Sequence, residues 1–202
     1  YFAIIQGKAR TGKTNVLRNL ISSSADMGGS ICVIGDSEHS LKQTAEKYGV
    51  RYIYGYAELF SYWQELLPEF QKRNVSKRAY VADGLETEEI YAKMSKEYEP
   101  IWIFMADVAE FVKTVYSPSD GMGDMSGFLT NIIEKGSQHG IYFIGGFNHD
   151  DIPAMAPYRL FNCMTDYHTG IHLGGNVAGQ RMFDFTGIPF VEQTRPAPVG
   201  TG

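Results

Sequence analysis

The stretch QGKARTGKTNVL, residues 6–17, follows the apolar run FAII and leads straight into residues with helical spacing. Gly7, four residues and then Gly12, Lys13 and Thr14 give the spacing GxxxxGK(S/T). A glycine-rich turn between a buried strand and a helix leaves its backbone N–H groups free, and the helix start adds partial positive charge. Such a loop wraps phosphate. In this reading Gly7, Lys8, Ala9, Arg10, Thr11, Gly12, Lys13, Thr14 and Asn15 form the nucleotide-binding loop, and the amides from Ala9 to Asn15 surround the α- and β-phosphates. Lys13 bridges the β- and γ-phosphates of ATP, and the Thr14 hydroxyl holds Mg²⁺. Lys8 and Arg10 are read either as further phosphate contacts or as solvated loop charges.

Outward from the loop, apolar runs of strand length alternate with amphipathic runs of helix length, the pattern of a mostly parallel central sheet flanked by helices on both faces. Strands are predicted at FAIIQ, SICVIGD, RYIYGY (as a strand or an aromatic loop), IWIFMA and GIYFIGGF. Helices are predicted over 13–25, 38–48, 58–73 (interrupted or shifted by Pro68), 84–99 as an acidic solvated face, 108–115 and 128–139. SPSDGMGDMSG reads as a mobile loop and NHDDIPAMAPY as a polar, proline-rich one. HTGIHLGG, QRMFDF and IPFVE read as short edge strands or hairpins. The aromatic run Tyr52–Trp63 suits either a partner groove or core packing, and core packing is favoured.

The 202 residues suit one sizeable core, and no apolar run reaches the roughly 18 residues of a membrane span. A net charge of −5 gives no overall field to draw in nucleic acid. The two cysteines, Cys32 and Cys163, have no metal or redox spacing and read as buried small hydrophobes. Tyr1 enters a strand without a starting Met, which predicts a domain cut from a longer chain.

A phosphate loop needs a second acid for Mg²⁺ at the end of a neighbouring strand, and Asp107 after IWIFMA is the candidate. The next position, where many ATPases carry a catalytic Glu, is Val108. Glu110, three residues on from Asp107, is read as a group leaning toward the site or as an acid favoured by a helix start, the second being preferred. Asn148, closing GIYFIGGF, is read as a γ-phosphate or water sensor or as a loop cap. His149 with Asp150 and Asp151 has the residue types of a metal site, and His168 with His172 has an i, i+4 spacing, but that spacing serves a helix and this stretch reads as a strand, so a protein-built metal site is not favoured.

GKARTGKTNVLRNL, PIWIFMADVAEF, GSQHGIYFIGGFN and FDFTGIPFVEQ together resemble the FtsK/SpoIIIE branch of P-loop ATPases, and within it the third, C-terminal ATPase domain of the EssC-type (YukB-like) motors of type VII secretion in Firmicutes. The resemblance spans nearly the whole chain. It implies a RecA-like core, neighbouring ATPase domains in the same chain, and a membrane-anchored motor that oligomerises at the cytoplasmic face. Its substrates would be WXG100-type proteins and toxins. By matching position it implies phosphate and Mg²⁺ roles for Lys13 and Thr14, the Mg²⁺ aspartate role for Asp107 and the polar sensor place for Asn148. Two positions depart from the DNA motors of the branch, Val108 for the Glu and Gly170 for an arginine. A degenerate ATP-binding domain of a secretion motor is therefore expected, with weak or no hydrolysis and a role in substrate recognition or regulation. An active DNA translocase and an unrelated P-loop kinase are the alternatives.

Overall fold

Strands rich in Ile, Val and Phe, without a polar alternation, are those of a sheet buried on both faces. A computed structural model of the chain describes residues 2–178, 180 and 182–198. In chain order its elements are β1 (Phe2–Gly7), α1 (Lys13–Met27), β2 (Ser30–Ile34), α2 (Lys42–Tyr48), β3 (Arg51–Ile53), α3 (Gly55–Ala82) and α4 (Thr87–Glu97). These are followed by β4 (Ile101–Met105), α5 (Val108–Val115), α6 (Ser126–Lys135), β5 (Ile141–Asn148), α7 (Ile152–Met155), α8 (Arg159–Thr165), β6 (Thr169–Leu173) and α9 (Phe190–Gln193). The strands form one six-stranded sheet in the order β3-β2-β4-β5-β1-β6. Every pairing in it is parallel.

The pleat sends alternate side chains to opposite faces, and each face has its own core. Ile5, Val33, Phe104 and Leu173 meet Leu17 and Ile21 of α1 and Ala45 of α2. Phe2, Ile4, Ile103, Met105 and Phe143 meet α3, α5, α6 and α8 on the other side. Each fully buried Leu, Ile or Phe contributes about 1.5–3 kcal/mol, so the larger face holds most of the fold's stability. The aromatic run goes into this packing: Tyr56, Leu59, Tyr62 and Trp63 are all buried.

Several boundaries differ from the sequence reading. α3 is unbroken through Pro68, although an interior proline removes a helix bond and costs about 3 kcal/mol. Leu59, Trp63 and Leu66 anchor it on one side of the proline, and Arg73 does so on the other. α2 starts at Lys42 and not at Glu38, because the Asp36 carboxylate accepts from the Ser40 amide (2.8 Å) and hydroxyl (2.7 Å) and holds a turn there. The expected loop after β5 contains α7, with a proline in its first turn, and α8 follows it. IPFVE is not a strand, since Phe190–Gln193 is a helical turn. QRMFDF has no strand among its described residues, and Arg181 lies outside them. β6 is a strand as expected, but it pairs parallel to β1 and not as a hairpin.

Arg73 is 3 % exposed. Its guanidinium donates to Glu69 Oε1 (2.8 Å), to the His139 carbonyl (2.8 Å) and to the Glu99 carbonyl (2.9 Å), and lies 4.9 Å from the Tyr98 ring centroid. One side chain thus clamps α3 to the turns that enter β4 and β5. α4 adds a small separate cluster of Ile90, Met94 and Tyr98, and a reciprocal Glu86–Glu89 capping box fixes its start.

Candidate nucleotide site

In an open parallel sheet, ligand sites form at the carboxyl ends of the strands, and β1 ends there in the glycine-rich loop. Gly7 has no room for a side chain: a Cβ would lie 2.4 Å from Thr11 Oγ1 and 2.7 Å from the Leu173 carbonyl oxygen. Gly12, with φ of 104°, turns the loop into α1, a conformation that glycine adopts without steric cost. The Lys13 ammonium lies in the curve of the loop and donates to the carbonyls of Gly7 (2.9 Å) and Lys8 (2.7 Å). The Thr11 hydroxyl donates to the Lys8 carbonyl at 2.9 Å. Lys8, Ala9, Arg10 and Asn15 are exposed, whereas Thr14 is half-buried in the first turn of α1.

Burial pulls the Lys13 pKa below the usual lysine value, against the fields of Asp107, Asp151 and Asp150, which favour the ammonium. Asp107 caps α5, its carboxylate accepting from the Glu110 amide at 2.8 Å. Burial pushes its pKa up; the Glu110 amide opposes this, and the negative charge of Asp151 adds to it. The half-buried Asp107 carboxylate and the half-buried Thr14 hydroxyl are oxygen donors of the kind that suit Mg²⁺.

The other sequence candidates separate cleanly. Glu110 Oε2 accepts from both the backbone N–H and the hydroxyl of Ser37, each at 3.0 Å. Ser37 follows β2, whereas the loop lies across β5 on the other side of β4, so Glu110 is held away from it. Asn148 is paired with Gly7, and its side chain accepts a long 3.4 Å bond from the Asp150 amide, as a loop cap does. Val108 is fully buried, and a Cβ on Gly145 would lie 2.3 Å from its Cγ2. Gly170 has equally little space, since a Cβ there would lie 2.0 Å from the Ile4 carbonyl oxygen. An arginine in that place is therefore excluded by the backbone itself.

Sequence reasoning missed Gln6. It is the one polar residue in an apolar strand, and this was the signal available. Fully buried, it donates from Nε2 to His149 Nδ1 (3.1 Å) and accepts at Oε1 from His172 Nδ1 (3.2 Å). The two imidazoles line a cleft of ≈ 330 Å³ with Lys8, Gly174, Gly175, Asn176 and Pro196. A larger cavity of ≈ 590 Å³, lined by Cys32, Arg51, Tyr62 and Glu65, lies at the amino ends of β2 and β4, away from the loop.

Burial holds His172 and His139 below the usual histidine pKa of 6.5. The unfolded chain therefore takes up these protons first. Their contribution to stability is complete above about pH 7 and is lost as pH falls from 6.5 through the depressed folded values. The urea midpoint is expected to be level between pH 7 and 8 and lower at pH 5.5. An unchanged midpoint at pH 5.5 would contradict the assignment.

No family model matches the sequence, and no curated protein matches it either. Solved structures do. The cytoplasmic domain of EssC superposes with a TM-score of 0.72 at 18 % identity over 98 % of this chain and 36 % of the solved one. The chain therefore shares the fold of that domain. EccC (ATPases 2 and 3) of Thermomonospora curvata, solved in complex with a signal sequence peptide, gives 0.62 at 15 % identity over 96 % of this chain and 33 % of that one. The pCW3 conjugation coupling protein TcpA, solved with ATPγS, gives 0.52 at 18 % identity over 72 % of this chain and 42 % of that one. The chain spans about a third of the length of the first two. Among the described residues, no helix is long and apolar enough to cross a membrane.

Proposed function

We propose that this chain is a nucleotide-binding domain of a membrane-anchored type VII protein secretion motor, one of several ATPase domains in a longer chain, which binds ATP and hydrolyses it slowly. The observation that carries the reading is an intact phosphate loop facing Asp107, with an apolar, buried residue at 108. The amides of residues 7–15 and the Lys13 ammonium hold the phosphates, which requires Lys13 to exchange its two loop carbonyls for phosphate oxygens. Thr14 and Asp107 would hold Mg²⁺, which neutralises phosphate charge when bound. The cleft beside Lys8 is at the lower end of the size range of small-ligand sites and suits the nucleoside end.

Slow hydrolysis fits a domain whose main work is to recognise or regulate export substrates, and the peptide-bound EccC supports a partner of that kind. A net charge of −5 argues against a DNA track. Calorimetric titration with ATP and Mg²⁺ is expected to show binding. The Lys13→Ala variant should bind about 30–100-fold more weakly, the worth of one charge-assisted contact. Turnover is expected to lie at least about 100-fold below the enzyme median of about 10 per second. Turnover of several per second, abolished by Lys13→Ala, would overturn the slow-hydrolysis reading.

A further inference from the structure

We propose that Asp151 is the carboxylate that takes the proton of the attacking water when ATP is hydrolysed at this site, an inference that rests on the nucleotide reading above. β5 lies between β1, which carries the phosphate loop, and β4, which carries Asp107. The register sets Asn148 beside Gly7 and Gly145 beside Met105. The residues that leave β5 therefore emerge between loop and acid. His149, bonded to Gln6, pins that exit to β1, and the 3-10 turn His149–Asp151 brings the chain round to Asp151.

Asp151 is half-buried, and its carboxylate does not cap the short helix that follows. No hydrogen bond to it is formed among the described residues, in contrast to Glu110, which Ser37 occupies twice. Its charge acts on both Lys13 and Asp107, so it lies near both. Position 108 faces the core, Glu110 faces β2, and Asp150, whose charge also reaches Lys13, is exposed, so Asp151 is the half-buried carboxylate left near both Lys13 and Asp107.

In the step, the water oxygen forms a bond to the γ-phosphorus, and the bond from that phosphorus to the β,γ-bridging oxygen breaks. The electron pair leaves with ADP. The water's proton passes to Asp151 and from there to solvent, releasing inorganic phosphate. A general base of this kind contributes about 10²–10⁴-fold.

The test measures ATP affinity and single-turnover hydrolysis in the same samples. Asp151→Asn is expected to bind ATP within about threefold of the parent and to hydrolyse it about 100-fold more slowly. Asp151→Glu, which keeps a carboxylate, should fall between the two, and Glu110→Gln should stay within about threefold of the parent. A parent chain that binds no ATP would bring down the nucleotide reading and this inference together. ATP binding with no turnover, or with turnover that Asp151→Asn leaves unchanged, would overturn the inference alone.

Discussion

Val108→Glu, the substitution that restores the usual catalytic carboxylate, is expected to destabilise the fold by about 4 kcal/mol or more and to leave hydrolysis no faster. The Val108 side chain is fully buried against Gly145, in the core shared by α5 and the sheet. A longer side chain there has to displace β5 or α5, which by itself costs about 1–3 kcal/mol. Its charge also arrives without a partner, because the Asp107 carboxylate beside it repels it and Lys13 lies across β5. Against a total of about 5–15 kcal/mol, the loss is large. Urea denaturation followed by tryptophan fluorescence measures it, and ATP turnover at a temperature where the variant stays folded measures the second claim. A variant as stable as the parent, with faster turnover, would show that the residue after Asp107 can swing into the site.

Arg73→Met should cost about 3–5 kcal/mol although it lies far from the phosphate loop. Methionine fills much of the same volume but returns nothing to the carbonyls of His139 and Glu99, which the guanidinium satisfies at 2.8 and 2.9 Å. It also leaves Glu69 without its 2.8 Å partner. Unsatisfied buried acceptors cost about 1–3 kcal/mol each, and the two carbonyls belong to the turns that start β4 and β5. Arg73→Lys is expected to recover less than half of the loss, because an ammonium cannot reproduce the planar fork. An unfolding free energy for Arg73→Met, from urea titration, within about 0.5 kcal/mol of the parent would refute the clamp.

The sheet was legible because its strands are continuous apolar runs bounded by glycine, proline or aspartate, and the loop between β1 and α1 because its glycines mark the turn from strand to helix. α5 was legible to the residue, since Asp107 is both the strand's end and the helix's cap. α3 was read too short at both ends. The local rule about proline carries no information on the tertiary anchor Arg73, whose partners lie 66 and 26 residues away in sequence. α7 and α8 were hidden by a polar, proline-bearing stretch. The part played by Asp151 had no sequence signal, since it depends on β5 being inserted between β1 and β4.

That insertion also bears on how the chain comes to be folded. β1, residues 2–7, is flanked in the sheet by β5 and β6, which are residues 141–148 and 169–173. During synthesis at about 5–20 residues per second, the strand that carries the phosphate loop waits on the order of 10 s for its first partner. β2, β3 and β4 can pair meanwhile, so the half-sheet that bears Asp107 forms first. The loop is set in place last, by contacts of long sequence separation that slow folding. An exposed apolar FAII segment on the nascent chain is therefore where a chaperone is most needed.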